Sequence, residues 1–200
     1  KVQGDLQGRG VRFEDSPQAV ATQTVMITAH GASNRARARL RGEGLQIQDA
    51  TCPLVHYAHK QVQKLASAGY HPVIIGRHGH VEVRGLTEDL VRCDVVLSEE
   101  DIDNLDPHSR FGVVAQTTQP IARVRRLVEY LQARFPDSGV RFVDTVCQPT
   151  KQRQHAAEQL ARESDVVLVI GGKNSNNTCE LVRTCRQFCE RVHHVQGPED

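Results

Sequence analysis

Asp49-Ala-Thr-Cys52-Pro-Leu and Asp144-Thr-Val-Cys147-Gln-Pro are the two stretches from which the fold of this 200-residue chain is read. The two cysteines stand 95 residues apart in matching contexts. Each is followed 24 residues later by a glycine that closes an apolar run: Val73-Ile-Ile-Gly76 after Cys52, and Val167-Leu-Val-Ile-Gly171 after Cys147. The chain therefore carries an internal repeat with a thiol at the same place in each copy. A repeated thiol at the edge of a repeated α/β unit suggests quasi-symmetric ligands converging on one metal centre.

Around these anchors the periodicity alternates between strand and helix. Val25 to Thr28, Leu45 to Ile47, Val73 to Ile75, Asp94 to Leu97, Phe111 to Ala115, Phe142-Val143 and Asp165 to Ile170 read as short buried strands. Between them, 34–41, 56–68, 121–135 and 152–162 read as helices, with Pro53 at a helix start, Gly69 at a helix end and a last helix over 177–191. In the 121–135 segment, Val124, Leu127, Val128 and Leu131 form one apolar face. Strands alternating with helices imply parallel sheets joined by right-handed crossovers, with ligand sites beyond the carboxyl ends of the strands.

Those strand ends are rich in chemistry. They carry Ala29-His30-Gly31, the segment leading to Cys52, Gly76-Arg-His-Gly-His80-Val-Glu82, Gln116-Thr117-Thr118, Cys147, and Gly171-Gly-Lys-Asn174-Ser175-Asn176-Asn177-Thr178. Glycine-rich turns lined with Ser, Thr and Asn suit phosphate oxygens. Thiolates suit an iron–sulfur cluster or zinc.

Composition excludes several classes. A net charge of +1 provides no field for nucleic acid or an anionic membrane surface, and 4% aromatic residues provide no stacking platform for bases. No apolar stretch is long enough to span a bilayer. Six cysteines without a secretory segment fit a reducing, cytoplasmic setting better than a disulfide scaffold. Cys93, Cys179, Cys185 and Cys189 lack repeat support and are expected in the core. A zinc site from Cys185, Cys189 and His193 is disfavoured because helical twist carries the third residue off the face of the first two. The arginine-rich stretch 35–41 is expected to be a solvated helix face.

Taken together, Ala29-His30-Gly31, Asp49-Ala-Thr-Cys52-Pro-Leu, Gly79-His80-Val-Glu82, Gln116-Thr117-Thr118, Cys147 with Arg153-Gln154, and Gly171-Gly-Lys-Asn174-Ser175-Asn-Asn177 resemble the 4-hydroxy-3-methylbut-2-enyl diphosphate reductase (LytB-type) family over nearly the whole chain. The resemblance implies repeated three-layer α/β lobes with small parallel sheets around a central iron–sulfur site. Residues 1–51 would be the rear part of a first lobe, 52–146 a second lobe and 147–200 an incomplete third. It implies a 4Fe–4S cluster held by one cysteine per lobe, with Cys52 and Cys147 as two ligands and the third outside this segment. The chain is thus expected to be a piece of a longer protein.

Carried over residue by residue, His30, His80, Ser175, Asn176 and Asn177 would bind a diphosphate, Thr117 would lie near the reacting hydroxyl, and Glu82 would supply protons. Asn176 stands where the family frequently has Ser, Val81 where Pro is common and Gln152 where Asn is common. The implied reaction is reductive dehydroxylation of an allylic diphosphate to isopentenyl and dimethylallyl diphosphate, the last step of the methylerythritol phosphate route. The implied electron donor is of ferredoxin or flavodoxin type. Two other readings stand beside it: a non-catalytic member that keeps the fold, and a phosphosugar- or nucleotide-binding α/β module that needs neither iron nor paired cysteines.

Overall fold

The computed structural model describes residues 2–14 and 19–197. Lys1 lies outside them, and α1 spans Val2–Gly8. The remaining elements run β1 (Thr24–Ile27), α2 (Asn34–Gly42), β2 (Gln46–Asp49), α3 (Pro53–Ser67), β3 (His71–Ile75), α4 (Val81–Thr87), β4 (Asp94–Val96) and α5 (Glu99–Asp103). They continue with β5 (Arg110–Ala115), α6 (Ile121–Arg134), β6 (Gly139–Phe142), α7 (Gln148–Glu163), β7 (Val167–Ile170), α8 (Asn176–Cys185) and β8 (Val192–Val195).

All strand pairings are parallel, and they form three separate sheets: β1-β2, β4-β3-β5-β6, and β7-β8. The middle sheet is covered on both faces. Its central strands β3 and β5 accordingly read as continuous apolar runs, whereas the edge strand β6 alternates. On one face Val73, Ile75, Phe111, Val113 and Ala115 pack against Ile102 of α5 and Val124, Leu127, Val128 and Leu131 of α6. On the other, Ile74 and Val114 pack against Ala58, Val62 and Leu65 of α3 and Val83 and Leu86 of α4. The β7-β8 sheet has its own core with Ala161 of α7 and Val182 and Cys185 of α8. Among the described residues nothing covers its other face: Leu168 and Ile170 remain 61% and 75% exposed.

The two repeat units share details beyond the thiols. Gly76 follows β3 and Gly171 follows β7, each donating its N–H to the last strand residue of the neighbouring strand, Val96 and Val195. Each also faces the side chain seven residues on. A Cβ at Gly76 would lie 2.8 Å from Val83 Cγ2, and one at Gly171 would lie 2.5 Å from Thr178 Oγ1. The glycines let α4 and α8 approach the strand ends more closely than any side chain would allow.

Three elements differ from the sequence reading. The segment after His80, assigned to no element from the sequence, folds into α4, because His80 caps it and Val83 and Leu86 bury themselves beneath it. The short α5 is nucleated by a capping box in which Ser98 accepts from Asp101 N–H while Asp101 accepts from Ser98 N–H. The last helix ends at Cys185, short of Arg191, and the chain returns through β8 to pair with β7.

Candidate active site

Cys52 and Cys147 occupy the N-cap positions of α3 and α7 in nearly the same backbone conformation, with φ/ψ of −57°/132° and −69°/143°. Three residues upstream of each, an aspartate folds the approach: Asp49 Oδ1 accepts from Thr51 N–H at 3.0 Å, and Asp144 Oδ1 from Val146 N–H at 3.1 Å. One turn into each helix a basic group returns to that aspartate, His56 Nε2 at 3.6 Å from Asp49 and Lys151 Nζ at 2.6 Å from Asp144. Arg37 also bonds Asp49, holding its carboxyl well below the usual carboxylate range. Neither thiol is in a disulfide, both are half-buried and neither caps its helix backbone, although Cys147 Sγ lies 2.9 Å from Thr150 Oγ1. Each sulfur therefore sits at the positive end of a helix, where negative charge is best tolerated.

Backbone bonds tie the thiols to the neighbouring strand ends. Cys52 N–H donates to Ala29 O, beside His30, at 3.1 Å, and Cys147 N–H donates to Thr117 O at 3.0 Å. His30 in turn meets His80 edge to face, with ring centroids 5.5 Å apart. His80 is the N-cap of α4, its Nδ1 accepting from Glu82 N–H. Burial, His30 and Arg77 hold its imidazole below the ordinary histidine range.

Glu82 is the most unusual group in the crown. It is 1% exposed, and both of its oxygens accept from Thr117, Oε1 from the backbone N–H at 2.6 Å and Oε2 from the hydroxyl at 3.0 Å. Burial pushes its carboxyl up, against the lowering effect of those two bonds. A desolvated carboxyl holds its proton more tightly than an exposed one, a property suited to a general acid.

From Thr118 the network crosses to the β7-β8 unit. Thr118 Oγ1 accepts from Asn176 Nδ2 at 3.0 Å and from Gln116 Nε2 at 3.1 Å. Gln116 Oε1 accepts from Arg77 N–H and Gln119 Nε2. Arg123 NH1 donates to Gln119 Oε1 at 3.2 Å and to Glu180 Oε1 at 3.1 Å, and its NH2 lies 3.1 Å from Glu180 Oε2. Glu180 is 2% exposed and is also bonded by Arg183.

The structure thus links Cys52, His30, His80, Glu82, Thr117, Cys147 and Asn176 through a continuous set of contacts. Ser175 and Asn177 stand beside Asn176 at the start of α8, where Ser175 Oγ accepts from Thr178 N–H and serves the helix cap. Gln119, Arg123 and Glu180 were not singled out from the sequence; Arg123 and Glu180 are 57 positions apart and nothing in their local patterns pairs them. Gln154 proves to be a cap for α6, accepting from Ile121 N–H. Cys185 and Cys189 pack in the apolar core of the β7-β8 unit and donate to backbone carbonyls, consistent with core residues. Cys93 packs on the α3–α4 core, whereas Cys179 is half-buried and donates to Lys173 O.

A family model described as LytB protein matches residues 1–200. A 4-hydroxy-3-methylbut-2-enyl diphosphate reductase of Pseudomonas putida (strain KT2440) is 37% identical over 205 residues, an alignment covering 98% of this chain and 65% of the relative. The reductase of the same name from Anaeromyxobacter sp. (strain Fw109-5) is 40% identical over 174 residues, covering 86% of this chain and 60% of the relative. Among solved structures, the E-1-hydroxy-2-methyl-but-2-enyl-4-diphosphate reductase from Plasmodium falciparum superposes with a TM-score of 0.91 at 27% identity, covering 100% of this chain and 64% of that one. A second, an (E)-4-hydroxy-3-methyl-but-2-enyl diphosphate reductase described as the terminal enzyme of the non-mevalonate pathway, gives a TM-score of 0.70 at 33% identity. The chain spans just under two thirds of the length of the Pseudomonas relative.

Proposed function

This chain belongs to the LytB protein family, and on that premise we propose that it carries the proton-donating and most of the diphosphate-binding side chains of a 4-hydroxy-3-methylbut-2-enyl diphosphate reductase. The reaction would take an allylic alcohol, two electrons and two protons to an isoprenoid diphosphate and water. Isopentenyl and dimethylallyl diphosphate would be the products, and a ferredoxin- or flavodoxin-type protein the electron source. The observation that carries this reading is the buried Glu82 carboxyl, held by Thr117 within the set of contacts that joins Cys52 to Cys147.

The donor set fits an iron–sulfur cluster: two free thiols at equivalent helix starts, each unengaged in capping. Cys52 and Cys147 would be two of the three cysteine ligands, one from each of the lobes 52–146 and 147–200, with 1–51 belonging to a first lobe. When bound, the cluster supplies electrons and a Lewis-acidic iron. The protein's own groups do the rest. His30 and His80 would face the diphosphate together with Ser175, Asn176 and Asn177. Binding the diphosphate at that end positions the hydroxyl at the other, beside Thr117. Glu82 would hold the proton until the oxygen leaves, with the Thr117 hydroxyl between carboxyl and substrate.

The test is iron and sulfide quantitation under anaerobic conditions, in a version carried at the full length of the relatives. Cys52→Ser and Cys147→Ser should each strip most of the iron. The 200 residues alone supply two of the required thiolates and should hold it substoichiometrically. A stoichiometric cluster in the 200-residue chain would redirect the assignment to Cys93 and Cys179. Unchanged iron in both cysteine variants would overturn the ligand assignment, and absence of iron in any form would leave a phosphate-binding module.

A further inference from the structure

The strand-end crown lies at the carboxyl edge of the middle sheet, and a second group of ligating side chains gathers at the opposite edge. His71 opens β3, Asp94 opens β4, and His108 stands two residues before β5. Because the sheet order is β4-β3-β5, the three come from adjacent strands, fixed by the Val73↔Asp94 and His71↔Phe111 pairings. His71 Nε2 lies 2.6 Å from Asp94 Oδ2. The rings of His71 and His108 stack with centroids 3.8 Å apart and 7° between their planes. One ligand atom from each of the three residues lies within 4.8 Å of the other two. Both imidazoles stand edge-on to Phe111, which is fully buried and forms a rigid floor.

We propose that His71, Asp94 and His108 form a binding site for a divalent cation of the zinc class, separate from the cysteine-bearing edge. Two imidazoles and one carboxylate favour zinc, cobalt or nickel over magnesium or calcium, which prefer all-oxygen shells. The distances are close to what such an ion needs. Metal–donor bonds of about 2.0–2.2 Å in a tetrahedral site place donors roughly 3.3–3.5 Å apart. His71 and Asp94 need to part by less than ~1 Å from their present hydrogen bond, and His108 needs to turn about its ring bond until its nitrogen points inward. None of the three residues is fully buried, and the Asp94 side chain is 42% exposed, so these movements leave the core beneath Phe111 in place.

The charges around the site are compatible with this reading. An ion would replace the hydrogen bond between His71 Nε2 and Asp94 Oδ2. Burial and the neighbouring His71 hold His108 below the ordinary histidine range, so its ring gives up a proton to an incoming ion more readily. Asp106 favours a cation here and Arg92 opposes it. The remaining coordination position would open on a groove lined by Asn34, Gln63, Tyr70 and Asp89, where water would complete the shell. Cys93, next in sequence to Asp94, is turned into the core with Val95 and offers no fourth ligand. Because the ion would join the starts of three strands, its role would be to brace the sheet.

Zinc chloride titrated into the 200-residue chain, with Cys52→Ser and Cys147→Ser removing the competing thiols, tests the site by calorimetry and by the nitrogen chemical shifts of the histidine rings. One equivalent should bind, shifting the ring nitrogens of His71 and His108 and raising Tm. His108→Ala or Asp94→Asn should weaken binding at least tenfold. His108→Cys, which installs a stronger zinc donor, should retain or tighten it, and this variant decides the matter if His108→Ala folds poorly. Unmoved His71 and His108 resonances at saturating zinc, or affinity indifferent to these substitutions, would overturn the proposal. Since no reductase activity is read, the outcome is independent of the function proposed above.

Discussion

Glu82 concentrates the chemistry in one side chain. Its carboxyl is desolvated, yet every bond it accepts comes from one residue, Thr117. In a protein at the relatives' full length, Glu82→Gln should retain iron and substrate binding while turnover falls by roughly 10²–10⁴, the usual cost of losing a general acid. Steady-state rates beside the cluster's absorbance would check it, and near-normal turnover would remove Glu82 from the proton path. The substitution also has a stability signature. Burial raises this carboxyl in the folded state, so the stability it contributes is present below the ordinary glutamate range and is lost as pH rises through the raised value. Urea denaturation at about pH 5 and about pH 8 should show Glu82→Gln gaining on the parent at the higher pH. Glu82 and the two cysteines were legible in the sequence because each sits in a motif at a strand end. Arg123 and Glu180 were not, since a buried ion pair between distant helices leaves no local pattern.

At the scale of the element, the two glycines after β3 and β7 set how closely α4 and α8 seat. Gly76→Ala places a methyl 2.8 Å from Val83 Cγ2 and 3.0 Å from Gln116 Cβ, and should cost about 1–3 kcal/mol through overpacking. Chemical denaturation of Gly76→Ala with and without Val83→Ala checks this: the second substitution should recover part of the loss. Equal losses in both backgrounds would point to some other strain. The long helices α3 and α6 were readable because each presents a sustained apolar face, and α7, whose buried residues are Thr150, Gln154 and Ala161, because it follows Cys147 as α3 follows Cys52. The short ones were not. α4 has seven residues and depends on its His80 cap and on burial that only the folded sheet provides. β8, Val-His-His-Val, is too brief and polar to declare itself as a strand, and the cysteines before it extended the apparent helix past its true end.

Across the whole molecule, the middle sheet and the β7-β8 unit meet through polar contacts near the crown. Arg123 of α6 and Glu180 of α8 form the most buried of these. Arg123→Met leaves Glu180 with only the largely exposed Arg183 and should cost about 3 kcal/mol. Replacing both, Arg123→Met with Glu180→Leu, should restore most of that stability, as measured by guanidinium denaturation. The alternation of strand and helix announced an α/β chain with parallel pairing, and the 95-residue repeat announced equivalent thiols. Partition into three sheets depends on which strands fail to pair, and sequence periodicity does not record that.

The open face of β7 bears on how the chain behaves in solution. Leu168 and Ile170 project from a two-stranded parallel sheet, and β7 pairs only with β8 among the described residues. An apolar strand with a free edge is a template for another such strand. Light scattering of the 200-residue chain should therefore rise with concentration and with warming well below the unfolding temperature. Leu168→Lys, which places a charge on that face without touching the core beneath Val169, should suppress it. Colloidal stability, rather than the free energy of folding, would then set the concentration at which this polypeptide is handled.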